Sequence, residues 1–105
     1  MIVKKADAKK RTFKGVSLDS MAVGETSMVC KMNYVEGNFA TEHTHPHEQS
    51  GYVISGQYQM TVDGQEYELL PGDSYSIPGG VPHSFQVIRG GEVIDVFTQI
   101  REDYL

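Results

Sequence analysis

Cysteine and long apolar segments are nearly absent from this chain of 105 residues. Its one cysteine, Cys30, excludes an internal disulfide bond. No apolar run approaches the roughly 20 residues that cross a bilayer, and the charged first segment lacks the apolar core of a signal peptide. A chain of this length typically forms one domain. We therefore expect a single domain over residues 1–105, in the cytoplasm and without membrane contact.

Basic residues are scarce except at the start of the chain. Residues 1–14 hold six of the nine basic residues and one of the fourteen acidic ones, so this segment carries +5 and residues 15–105 carry −10. A basic segment on an acidic body can indicate nucleic-acid binding, but this one is short. We predict a solvated arm over residues 1–14, which is disordered or adds an edge strand to a partner subunit, and no nucleic-acid binding.

Helical periodicity is also missing. Eleven glycines, four prolines and many short runs of Val, Ile, Tyr and Thr predict an all-β domain. Short strands between turn signals, within about 100 residues, are typical of a small barrel or sandwich. The predicted strands are 25–35, 39–45, 51–55, 57–62, 65–69, 74–78, 83–88 and 92–101.

The Asp63-Gly64 dipeptide predicts a hairpin. Asp-Gly favours a type I′ two-residue turn, whose twist matches that of the flanking strands. Such a turn fixes the register of the two strands and places apolar side chains together on one face. The expected pairs are Val62 with Gln65, Met60 with Tyr67, and Tyr58 with Leu69.

Three of the four histidines fall within five residues, at His43, His45 and His47, and the fourth is His83. His43 and His45 would share one face of a strand. Imidazole is the commonest protein ligand for metals, and Gln49 follows closely. We predict that His43, His45, Gln49 and His83 bind one divalent metal, with positions left open as in catalytic sites.

The neighbours of these ligands have other predicted roles. His47 follows Pro46, which disturbs the strand alternation, so we expect His47 to be a bystander or to support the site. Glu48 would point away from Gln49 on a strand. Zinc, nickel, manganese and iron all suit imidazole and amide ligands, so the sequence does not identify the metal.

The histidine pattern resembles the cupin superfamily. In the first cupin motif Gln49 stands where glutamate is usual, and in the second Val87 replaces an asparagine; fifteen residues separate the two motifs. The resemblance implies a double-stranded β-helix, a jelly-roll barrel, with one metal inside and often a homodimer. The matching positions are Gly37, His43, His45 and Gly56, then Gly72, Pro78, Gly80 and His83.

The C-terminal stretch offers a second group, because Asp95, Phe97 and Arg101 share strand parity. A two-residue Gly90-Gly91 hairpin would place Asp95 outside the barrel. A three-residue loop with Arg89 would turn Asp95 and Phe97 toward the metal, leaving Ile94, Val96 and Ile100 on an outer face for a partner subunit. The residues alone leave both alternatives open.

This stretch, together with His-x-His-Pro-His-x-Gln, resembles the pectin-degradation cupins of the KdgF type. The resemblance implies ring opening of 4,5-unsaturated uronates, which are small anionic sugars, to linear keto acids. It assigns the catalytic carboxylate to Asp95, packing against the sugar to Phe97, and carboxylate binding to Arg101. The alternatives are a cupin dioxygenase, a sugar isomerase or epimerase, and a non-enzymatic binding module for a small anion.

Overall fold

Alternating burial along short segments produces ten strands and almost no helix. In the computed structural model, which describes residues 1–105, β3 shows the pattern clearly, since Met28, Cys30 and Met32 are buried and their neighbours are partly exposed. The two helical segments are single 3-10 turns at Lys5–Asp7 and Glu102–Tyr104. The strands are β1 Lys9–Phe13, β2 Val16–Val23, β3 Ser27–Tyr34, β4 Phe39–His43, β5 Glu48–Val53, β6 Gln57–Val62, β7 Gln65–Leu69, β8 Ser74–Ile77, β9 His83–Arg89 and β10 Gly91–Thr98.

The strands form two antiparallel sheets. The larger sheet has the order β1-β2-β3-β10-β5-β8, and the smaller has the order β4-β9-β6-β7. Inward side chains such as Leu18, Met28, Ile77 and Phe97 make a common apolar core. The predicted all-β jelly-roll architecture is confirmed. No helix in the structure has the length and apolar character needed to cross a membrane.

The β6–β7 hairpin has the predicted register. Val62 pairs with Gln65, Met60 with Tyr67, and Tyr58 with Leu69. Asp63 and Gly64 have φ values of 49° and 80°, as a type I′ turn requires. Tyr58 and Leu69 are buried, so this hairpin contributes its apolar face to the core.

The basic arm differs from the prediction. Residues 9–13 form β1, which pairs with β2 of the same chain, from Lys9 opposite Ser20 to Phe13 opposite Val16. This part of the arm is therefore ordered and is an edge strand of its own sheet. Neither β1 nor β2 was predicted. Four of the five residues of β1 are exposed and polar, so it lacks the apolar alternation that marks a strand.

The expected hairpin between β9 and β10 is wrong in both proposed forms. β9 pairs with β4 and β6, whereas β10 pairs with β3 and β5, so the two strands lie in different sheets. A Cβ atom on Gly91 would lie 2.3 Å from the Ser55 carbonyl oxygen, and one on Gly90 would lie 2.8 Å from that of Tyr34. The two glycines therefore permit close backbone contact where the chain crosses between sheets.

The orientation of β10 nevertheless agrees with the second alternative. Asp95 and Phe97 point inward and are each 1% exposed. Ile94 and Val96 are half-buried on the opposite face. The strand ends at Thr98, after which Gln99 takes a φ of 66°, and Ile100 packs against the core instead of lying on the outer face.

Candidate metal centre and its cavity

Three histidines converge from separate segments. His43 ends β4 and pairs directly with His83 at the start of β9. His45 lies in the loop beyond β4, not on the strand as predicted. Their ligand atoms all lie within 4.8 Å of one another, a separation that small side-chain adjustments bring into the range of one ion with nitrogen ligands at about 2.1 Å.

Backbone carbonyl groups set the tautomer of all three rings. A carbonyl oxygen only accepts hydrogen bonds, so each Nδ1 carries the proton and donates it, and each Nε2 keeps a lone pair. This arrangement is typical of metal-binding histidines. The Nδ1 atoms of His43, His45 and His83 lie 2.7, 3.0 and 2.9 Å from the carbonyl oxygens of Thr41, His47 and Val81.

Burial favours the neutral form of two of these rings. It lowers the pKa of His45 and of His83 below the usual value of 6.5, and the positive charge of Arg101 acts in the same direction. A neutral imidazole is the form that binds a metal. Both rings are therefore in the ligating state at neutral pH.

Gln49 completes the donor set from the other sheet. It is buried on β5, and its Oε1 lies 3.2 Å from Nε2 of His45. Since that Nε2 bears a lone pair, two acceptors face each other, and a cation between them would relieve the repulsion. The neighbouring Glu48 is exposed. The His43, His45, His83 and Gln49 side chains, here called the cage, thus fit one divalent ion.

Asp95 lies beside the cage on β10. The Tyr75 hydroxyl group donates a hydrogen bond to its Oδ1. Burial raises the pKa of Asp95 to about 6, although hydrogen bonds from Tyr75 and Gln49 and the charge of Arg101 lower it. The buried carboxyl group therefore gains or loses its proton slightly below neutral pH.

Arg101 lies beyond the end of β10, where its guanidinium group is held on several sides. It is 9% exposed and stacks 4.0 Å from the centroid of the Tyr104 ring. Nε and Nη2 donate to the carboxylate of Asp103 at 3.2 and 2.7 Å, and Nη1 donates to the Tyr104 hydroxyl at 3.2 Å. Of five N–H groups, one on each terminal nitrogen is left for a ligand.

Phe97 packs against three rings at the site. Its ring lies 6.1 Å from that of His45, 6.4 Å from that of His47 and 5.5 Å from that of Tyr104, measured between centroids. Phe97 is not among the residues that line the cavity, and its contact with a sugar stays a prediction. His47 packs on Phe97 outside the three-histidine cluster, and its buried Nδ1 has no hydrogen-bond partner.

One cavity of about 600 Å³ connects these groups. Its volume lies in the range of small-molecule sites. Aromatic side chains such as Tyr34 and Phe85 contribute to its apolar wall, and Phe13 at the end of β1 and Lys14 in the following turn also line it. The polar lining residues that could bind a ligand or transfer a proton include His43, His45, Gln49, Tyr75, His83, Asp95, Arg101 and Asp103.

A scan against protein-family models matches residues 30–97 to the cupin domain family. The chain belongs to the cupin family. The match covers every cage residue together with Tyr75, Asp95 and Phe97. Arg101 and Asp103 lie just beyond it, so this cupin carries part of its cavity lining outside the family match.

Two relatives of this cupin have different described roles. The pectin degradation protein KdgF of Dickeya dadantii (strain 3937) is 32% identical over 80 residues, which are 74% of this chain and 72% of that protein. The HTH-type transcriptional regulator PuuR of Escherichia coli (strain K12) is 30% identical over 95 residues, which are 87% of this chain and 51% of that protein. The chain therefore spans about half the length of PuuR.

Solved structures of similar cupins have nearly the same fold. KdgF from Halomonas sp. matches with a TM-score of 0.90 and 25% identity, over 100% of this chain and 98% of that one. An RmlC-like cupin from Shewanella frigidimarina NCIMB 400 matches with a TM-score of 0.91 and 28% identity, over 99% and 95% of the two chains. This cupin therefore matches both chains over nearly their whole length.

Three residues that contact the predicted site residues were not themselves predicted from the sequence. Tyr75 contacts Asp95, and Asp103 and Tyr104 contact Arg101. A glycine within a strand, such as Gly51, often marks close approach of another group, and this signal could have led to Tyr75. No comparable signal in the Arg-Glu-Asp-Tyr-Leu ending indicates which acidic residue would pair with Arg101.

Proposed function

We propose that this cupin is a metal-dependent enzyme that opens the ring of 4,5-unsaturated uronates to linear keto acids. The observation that carries the proposal is one cavity lined by the four cage residues, by the buried carboxyl group of Asp95 and by Arg101, which keeps two N–H groups without a protein partner. The similarity to the pectin degradation protein KdgF in sequence and structure supports this choice of substrate class.

The reaction is an isomerisation that needs no oxidant. An unsaturated uronate is a cyclic enol ether with a carboxylate and a free anomeric hydroxyl group. The anomeric hydroxyl loses its proton, the bond from the anomeric carbon to the ring oxygen breaks, and carbon 4 gains a proton. A divalent ion bound by His43, His45, His83 and Gln49 would supply Lewis-acid stabilisation of the enolate charge that develops at the ring oxygen.

The residues of the chain would bind the substrate and move its proton. The two free N–H groups of Arg101 would hold the carboxylate in a bidentate arrangement. The carboxyl group of Asp95 would take the proton of the anomeric hydroxyl and return one to carbon 4. The enclosing aromatic wall would exclude water and orient the ring.

The direct test uses the metal-loaded protein and monomeric unsaturated galacturonate. Loss of the ultraviolet absorbance of the conjugated double bond should be faster than the spontaneous rate. Asp95→Asn should reduce the rate at least about 100-fold and keep the bound metal, while Asp63→Asn in the distant β6–β7 turn should be unaffected. A wild-type rate equal to the spontaneous one contradicts the proposal, and loss of metal in Asp95→Asn would make Asp95 a ligand.

A second candidate is a non-enzymatic binding module. The similarity to the transcriptional regulator PuuR over 95 residues favours it, since a cage and an arginine can hold a small anion without converting it. In this case calorimetry would show binding of unsaturated galacturonate without loss of its absorbance. Turnover above the spontaneous rate would exclude this candidate.

A further inference from the structure

Tyr75, Gly51 and Asp95 lie side by side on three neighbouring strands of the larger sheet. β5 lies between β8 and β10. Gly51 on β5 pairs with Tyr75 of β8 on one side and with Asp95 of β10 on the other. Tyr75 and Asp95 are therefore separated by the width of one strand.

The missing side chain of Gly51 is what lets Tyr75 cross that strand. A Cβ atom at Gly51 would lie 2.1 Å from Cζ of Tyr75 and 2.3 Å from its hydroxyl oxygen. Gly51 is not among the glycines with positive φ, so its backbone conformation does not require glycine. The ring of Tyr75 occupies the space where any other side chain would lie.

The hydroxyl group of Tyr75 thereby reaches Oδ1 of Asp95 and donates a hydrogen bond to it. Both residues also line the cavity beside the cage. A buried carboxyl group has two equivalent oxygens and a rotatable side chain, and a fixed donor on one oxygen selects one orientation. Packing of the Tyr75 ring over the glycine holds that donor in place.

We infer that Tyr75 is a positioning residue, which reaches across Gly51 to fix the carboxyl group of Asp95 toward the cavity. The inference rests on the proposed function, in which Asp95 moves the proton of the substrate. An interaction that orients a proton-transfer group acts on the chemical step more than on substrate binding. Its loss should therefore lower kcat and leave KM nearly unchanged.

Two different substitutions test the contact. Tyr75→Phe keeps the ring and removes the donor, so kcat should fall about 10- to 100-fold, with KM changed less than about threefold and the metal content unchanged. Gly51→Ala keeps the hydroxyl group but displaces the ring, and should give the same pattern. Tyr58→Phe is the matched control, because the buried Tyr58 hydroxyl donates to the Ser55 carbonyl away from the cavity, and its kcat should be unchanged.

The outcomes separate this inference from the proposed function. An active wild-type enzyme with an unchanged kcat in Tyr75→Phe overturns the inference and leaves the proposed function intact. An inactive wild type overturns the proposed function. A double-mutant cycle of thermal unfolding on the metal-free protein, with Tyr75→Phe and Asp95→Asn, then decides the contact: non-additive midpoint shifts support it, and additive shifts overturn it.

Discussion

Arg101 divides its hydrogen-bond donors between the protein and the cavity. Asp103 accepts hydrogen bonds from two of the five N–H groups, and its negative charge offsets the positive charge that would attract an anionic ligand. The Asp103 side chain is 41% exposed and also lines the cavity. A uronate carboxylate that binds Arg101 is therefore repelled by the Asp103 carboxylate, which already occupies part of the same guanidinium group.

Asp103→Asn should strengthen the binding of anionic substrates. Asparagine can still accept a hydrogen bond from Arg101, so the guanidinium group stays in place while the competing charge is lost. We expect KM for unsaturated galacturonate to fall severalfold in steady-state assays. Glu102→Gln, an exposed neighbour of equal charge, should have little effect. A higher KM in Asp103→Asn would show that the full ion pair is needed to hold Arg101.

Asp19 illustrates a buried carboxylate with a structural role. It is 3% exposed, and it contacts Lys10 at 2.9 Å, Lys31 at 3.4 Å and the Asn33 amide at 3.2 Å. Burial alone would raise its pKa, but hydrogen bonds and charges from Lys10 and Lys31 hold the pKa of Asp19 below its usual value of 3.8. The ionised form is therefore the one that stabilises the fold.

Asp19→Asn should lower the free energy of unfolding by about 1–3 kcal/mol at pH 7. Because the folded pKa lies below the unfolded value, the contribution of Asp19 is present above pH 3.8 and is lost as the pH falls through the folded pKa. Urea unfolding between pH 7 and pH 3 should show the difference from wild type shrinking at the acidic end. Glu25→Gln provides the control, because Glu25 is exposed and forms none of the ion pairs in the structure.

Elements whose turns have distinctive chemistry were predictable from the sequence. Asp63-Gly64 determines both the turn and the register of β6 and β7, because its positive φ values suit one turn type. His43 and His45 were predictable for a similar reason, since their spacing is local and their chemistry is specific. His83 lies far along the chain, and only its imidazole chemistry and its place in the second cupin motif connected it with them.

Features that depend on distant neighbours could not be predicted. Gly90-Gly91 fits a hairpin as well as a crossover, and only contacts with Tyr34 and Ser55 in the folded chain distinguish them. The polar β1 is a strand because its backbone pairs with that of β2. Likewise, no local pattern connects Tyr75 with Asp95.

The β6–β7 turn should be sensitive to loss of glycine. Gly64 has a φ of 80°, and a Cβ atom added there would meet nothing within 4 Å, so Gly64→Ala would cost only backbone strain. We expect a loss of about 1 kcal/mol in the free energy of unfolding, measured with urea. Gly24→Ala is the control, because Gly24 lacks a positive φ and an added Cβ would meet its nearest atom at 3.4 Å. Equal losses in both variants would contradict the strain argument.

At the scale of the whole molecule, the cage joins the two sheets. His43 and His83 belong to the smaller sheet, and Gln49 belongs to the larger one. A ligand that binds only this folded arrangement stabilises it by mass action. The metal would therefore link the two layers of the barrel as well as serve the reaction.

Metal removal should lower thermal stability. With free metal at about 100 times its Kd, binding contributes about 2.7 kcal/mol, so addition of a chelator should lower Tm by roughly 10 °C. His43→Ala should remove most of this metal-dependent shift in calorimetry. His47→Ala should keep it, since His47 lies outside the cluster. Equal loss in both variants would place His47 in the cage.

The homodimer implied by the resemblance to cupins stays a prediction. Apolar side chains on β5 and just beyond it are exposed, including Tyr52 and Ile54 at 52% and 44%. Light scattering on a sizing column should give a mass twice that of the 11.7 kDa chain. A mass of one chain would contradict the expectation.

The crossing from β9 to β10 also bears on how fast the chain reaches this structure. Because β9 and β10 join different sheets, each of them pairs with strands that are distant in the sequence. Domains dominated by such non-local pairing typically fold in milliseconds to seconds. His43, His83 and Gln49 meet only when the two layers have closed. An ion held by all three would bind the closed form, and it would thereby prolong the lifetime of the native state.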